Sequence, residues 1–122
     1  MGKNRVFINE YGFVEIIVDG DQTLESIQAM ADKAQRLALR QRKRGEGALI
    51  LDNLLTMGDV SPEGRDLVIK LGSSMDYDKL AMLGKGRALR IGTNIMLTAM
   101  GRGNKVKYFE DFDKAIAWLQ KW

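Results

Sequence analysis

Ala48-Leu49-Ile50-Leu51-Asp52 is the stretch on which the fold turns. Four apolar residues in a row, closed by an acid, suit a central strand covered on both faces, since a strand with one wet face alternates apolar and polar positions. Covering both faces takes helices, and the flanking sequence supplies them.

Upstream, Thr23 is placed to cap a long helix. Leu24, Ile27, Met30, Ala31, Ala34, Leu37 and Ala38 recur at spacings of three and four and give it one apolar face. Its last turns are basic, and Gly45 and Gly47 end it. Before it, Arg5 to Ile8 and Phe13 to Val18 read as strands. Tyr11-Gly12 lies between them, a connection short enough for an antiparallel hairpin. Asp19-Gly20-Asp21 reads as a turn.

Downstream, Asn53 to Val60 reads as a loop. Ser61-Pro62-Glu63 then starts a helix with a hydroxyl cap, a first-turn proline and a first-turn acid. Leu67, Val68 and Leu71 form its inner stripe, and Gly72 is the expected stop. Lys79 to Leu83 is the next strand. Gly84-Lys85-Gly86-Arg87 leads into a third helix, with Ala88, Ile91, Ile95, Met96 and Ala99 as the stripe expected inside. Gly101 and Gly103 break it before a last strand, Lys105 to Phe109. Asp111 caps a final helix whose expected inner face is Phe112, Ala115, Ile116 and Leu119. The order β-β-α-β-α-β-α-β-α implies right-handed crossovers and a mixed, mostly parallel sheet packed with helices.

The chain's 122 residues fit a single domain, 1–122. Hydrophobic residues at 45% and charged residues at 29% match an ordinary globular protein. No apolar run approaches the roughly 20 residues needed to cross a bilayer. The N-terminus leads directly into a strand-like segment, so the cytoplasm is the expected compartment. The chain has no His and no Cys, which removes Ser–His and Cys–His nucleophiles, thiolate chemistry and ordinary zinc sites. No metal or cofactor is expected. A carboxylate enzyme using Asp52, Asp59 or Glu63 is the form of catalysis left open.

The ending Lys107-Tyr108-Phe109-Glu110-Asp111-Phe112-Asp113-Lys114-Ala115-Ile116-Ala117-Trp118-Leu119 carries a resemblance, together with the element order, the Leu49–Asp52 strand and the capped helix at Ser61. The chain resembles the STAS superfamily, and within it the SpoIIAA-like branch. That resemblance implies a bacterial, non-enzymatic signalling or interaction domain akin to anti-sigma-factor antagonists. Some members of the branch have been likened to lipid-carrier domains, which implies shelter for a small apolar ligand. In the anti-sigma-factor antagonists a serine opening the second helix is the phosphoacceptor. Counted without gaps from Asp52, Ser61 falls there, with Val60 in place of an acid and Pro62-Glu63 in place of small residues.

Three further surfaces are candidates. Ser61, Lys85 and Arg87, with Asp52 and Asp59, are expected to border one crevice at the carboxyl ends of the strands, and Gly84–Arg87 is suited to an anion. Arg40, Lys43 and Arg44 form a basic patch. Its readings are nucleic acid, an acidic lipid or an acidic partner, and nucleic acid is disfavoured because aromatics are not interleaved and the net charge is only +3. Trp118 and Trp122 share a helix face and are candidates for a partner surface or homodimer contact. Two other functions compete with a protein-interaction domain. One is a carrier of a small apolar or anionic ligand; the other is a receiver-like domain phosphorylated on Asp52, which would need magnesium held by further carboxylates.

Overall fold

The computed structural model describes residues 3–101 and 104–121, the side chain of Met100 excepted. Its elements are β1 (Arg5–Ile8), β2 (Val14–Gln22), α1 (Leu24–Lys43), β3 (Leu49–Val60), α2 (Pro62–Ser74), β4 (Lys79–Leu83), α3 (Arg87–Met100), β5 (Val106–Phe109) and α4 (Phe112–Gln120). The order is the one the sequence implies. The five strands lie side by side in chain order. β1 and β2 are antiparallel, and every later pair is parallel.

Sequential order has a geometric consequence. Each right-handed crossover steps the same way along the sheet, so α1, α2 and α3 all fall on one face. Val14, Ile16, Ile50, Leu54 and Met82 form the floor beneath them. α4 closes no crossover and covers the other face, where Ala115, Ile116 and Leu119 pack on Leu49, Leu51, Ala81 and Leu83. The opening stretch is therefore covered on both sides: Ile50 joins one core and Leu49 and Leu51 the other. α4 packs chiefly on β3, β4 and β5, so it leaves most of the second face of β1 and β2 without a helix over it among the described residues.

Four local expectations need correction. Asp19-Gly20-Asp21 is strand, not turn, and Asn53 to Val60 is strand, not loop. The two segments pair with each other beyond the end of β4, with register shifts after Ile17 and Gly20. Buried Gln22 makes this irregular ribbon possible by donating to the Asp19 and Gly20 carbonyls at 3.0 Å and pairing with Asn4. Gly58 is required there, because a Cβ would lie 2.3 Å from Asp21 Oδ1. Gly72 does not stop α2, which runs to Ser74; it is buried within the helix, and its carbonyl accepts from the Tyr77 hydroxyl at 2.6 Å. Phe112 is exposed rather than inward and lies against Tyr11, ring centroids 6.1 Å apart. The expected break at Gly103 lies outside the described residues.

Candidate functional site

α3 is the element on which the expected core fails. It opens at Gly86, whose φ of +95° suits glycine and which offers no side-chain cap, and it ends at left-handed Gly101. An acid from elsewhere serves the open end. Glu110 accepts from the Gly86 amide at 3.2 Å and meets Arg90 at 3.5 Å. A carboxylate at a helix N-terminus satisfies a free amide and complements the dipole. Leu89 turns in toward Gly84, where an added Cβ would sit 2.5 Å from Leu89 Cδ2 and 3.0 Å from the Tyr108 hydroxyl.

The stripe expected inside is therefore largely outside. Ala88, Ile91, Ile95 and Ala99 face solvent, with Ile91 50% and Ile95 67% exposed. The inward side is Leu89, Thr93, Met96 and Leu97, and of these only Thr93 is fully buried. The helix carries two apolar stripes at helical spacing, and periodicity alone does not say which one packs. From Gly84 to Phe109 the chain has Lys85, Arg87, Arg90, Arg102, Lys105 and Lys107 and not one acid. Lys85 and Arg87 are exposed at the start of the helix.

Beneath this layer lies Asp52. Its register neighbours are Ile16 on β2 and Met82 on β4, and its side chain points to the α1–α3 face between Ile50 and Leu54. No hydrogen bond or ion pair reaches its carboxyl among the described residues, and burial pushes its pKa up to about 7. The residue nonetheless keeps partial exposure, so the helical layer does not seal the middle of the sheet. Tyr108, two strands away in register, is raised by burial and by the Glu110 carboxylate. The Thr93 hydroxyl above is buried without a partner among the described residues.

The remaining candidates are dispersed. Ser61 caps α2 by accepting from the Gly64 amide at 3.1 Å. It follows a strand that continues seven residues past Asn53, the last residue paired with β4, a run of roughly 20 Å. Lys85 and Arg87 lie just past the end of β4, and no bond joins them to Ser61, Asp52 or Asp59 among the described residues. Exposed Asp59 sits on the ribbon and donates its amide to Asp21 at 2.8 Å. Arg40, Lys43 and Arg44 are exposed at the end of α1. Their neighbour Arg42 is structural, bridging Asp76 at 2.9 Å and Asp78 at 3.1 Å. Trp118 packs on Phe109 at 5.6 Å with the Lys79 ammonium 4.5 Å from its ring; Trp122 lies outside the described residues. No three carboxylates group to hold a metal ion among the described residues. No helix among them is long and apolar enough to cross a membrane.

Comparison with known proteins agrees with the architecture. A solved structure of an uncharacterized protein with a SpoIIAA-like fold from Shewanella loihica PV-4 superposes with a TM-score of 0.71 at 18% identity, covering 98% of this chain and 95% of that one. No curated protein matches. The family profile described as SpoIIAA-like matches residues 13–120, from the hairpin through the last turn of α4. This chain belongs to the SpoIIAA-like family, within the STAS superfamily.

Proposed function

We propose that the chain is a non-catalytic interaction domain that works through α3, docking a protein partner whose apolar contact is rimmed with acids. The observation that carries this is the outward stripe, with Ile91 half exposed and Ile95 two-thirds exposed. Contiguous exposed apolar surface marks interaction sites, whereas isolated exposed apolar residues are ordinary. Lys85 and Arg87 border the stripe, and no acid on the helix opposes an acidic partner. Such a rim steers association and discriminates among partners more than it adds affinity.

A protein partner fits better than a carried apolar ligand because the stripe is convex. Two shallow concavities among the described residues lie along α1, and neither is lined by a residue of α3. The test is affinity capture from the native host with wild-type protein and with the Ile91→Asp, Ile95→Asp double variant. A stoichiometric protein retained by the wild type and lost by a double variant of unchanged circular dichroism supports the reading. Identical capture by both, or a lipid as the only species lost, contradicts it.

A further inference from the structure

β1 is an edge strand, paired with β2 and with no strand on its other side among the described residues. Beside it runs a groove of about 570 Å³, lined on one wall by consecutive residues 4–7 and on the other by Ser26, Ala29, Met30 and Lys33 of α1. Consecutive positions on the strand and positions three, four and seven apart on the helix mean that strand and helix edges form parallel walls. Grooves between an edge strand and a helix receive an extended segment as an added strand, main-chain bonds giving affinity and side-chain pockets giving choice.

The backbone of β1 is set up for this. Asn9 donates its amide to the Phe13 carbonyl at 2.9 Å, and antiparallel bonding alternates along the strand. Phe7 and Arg5 therefore bond β2, while the N–H and C=O of Val6 and Ile8 face the open edge. Neither residue's main chain reaches another element among the described residues. The floor is apolar: Val6 and Met30 lie beneath, and Ile8 follows on the Val6 side of the strand with 41% exposure.

Charge selects the occupant. Lys33 lines the groove, and Arg36 and Arg40 extend its side of α1 at offsets of three and seven; Arg5 lies over the Phe7 ring at 4.8 Å, on the other face of β1 from Val6, and puts a cation beside the open edge there. All four are exposed. Pairing β1 with a second copy of itself would bring these cations together. We infer that the β1–α1 groove binds an extended acidic segment of a protein partner, which adds to β1 as a strand of about four residues with alternate side chains apolar and acidic. This surface is separate from α3 and does not depend on the role proposed for it.

Selection of a random twelve-residue phage-displayed library on the whole chain tests the inference. Selected peptides are expected to alternate apolar and acidic residues and to slow amide exchange at Val6 and Ile8 at least tenfold. Arg5→Glu with Lys33→Glu should weaken their binding at least tenfold. Ile8→Pro removes only an outward donor, which an edge strand tolerates, and should weaken binding about fivefold or more. Failure to select any peptide overturns the inference. So do peptides that protect α3 instead, affinity indifferent to these variants, or sedimentation showing that β1 is covered by a second copy.

Discussion

Asp52 is the residue whose environment departs furthest from its chemistry. Its carboxyl sits within the central strand in an apolar layer, without a hydrogen bond among the described residues, and its pKa rises to about 7 from 3.8. Below about pH 4 it is largely neutral in both the folded and the unfolded chain, so burying its charge costs no stability there. Between about pH 4 and pH 7 the unfolded chain releases its proton while the folded chain holds it, so stability falls as pH rises, by at most about 1.4 kcal/mol per pH unit. Solvent reaching one side of the residue makes that slope an upper bound. Asp52→Asn should match the wild type at pH 4 and exceed it progressively to pH 7, read as the difference between two urea-unfolding series. Ser61 is simpler: loss of its cap in Ser61→Ala should cost about 1 kcal/mol, and Ser61→Asp should restore most of it. Asp52 was legible in sequence as an acid closing an apolar strand. That it lies under helices unpaired was not, because an alternation of faces shows only once the register of three strands is known.

At the scale of elements, the strands and helices were legible nearly throughout, because caps, breakers and apolar runs act locally. Thr23, Ser61 and Asp111 each accept from the backbone amide three residues on, as their positions implied. What escaped was nonlocal. The β2–β3 ribbon depends on Gln22 and Asn4, eighteen residues apart, and α3 opens against Glu110, which follows β5, and packs by the side of Leu89, Thr93 and Leu97. That packing has a measurable consequence. Ile95→Ser should change stability by less than about 0.5 kcal/mol, as surface substitutions do. Leu97→Ala, on the inward side, should cost about 2 kcal/mol, near the low end for a truncated core leucine because Leu97 is only partly buried. Equal losses at the two positions in denaturant unfolding would mean that the helix packs by the other stripe.

For the whole molecule, the layout follows from one topological fact. Sequential strand order sends three crossover helices to one face and leaves the other to α4, which covers only part of it. The composition that removes His and Cys chemistry is consistent with an interaction role, and the molecule's distinguishing surfaces are a convex apolar helix and a basic edge groove rather than a cleft lined by reactive groups. The length of β3, which no local signal announces, carries Asp59 and Ser61 beyond the end of β4, where Asp52 pairs and the Gly84–Arg87 loop begins. If α3 is the working surface, a photo-reactive residue placed at position 95 in the native host captures the partner, with half-exposed position 39 of α1 as the control. A discrete protein adduct is expected at 95, absent at 39 and diminished at least tenfold by Arg87→Glu with Lys85→Glu. No adduct at 95, or the same adducts at 95 and 39, would contradict this role for α3.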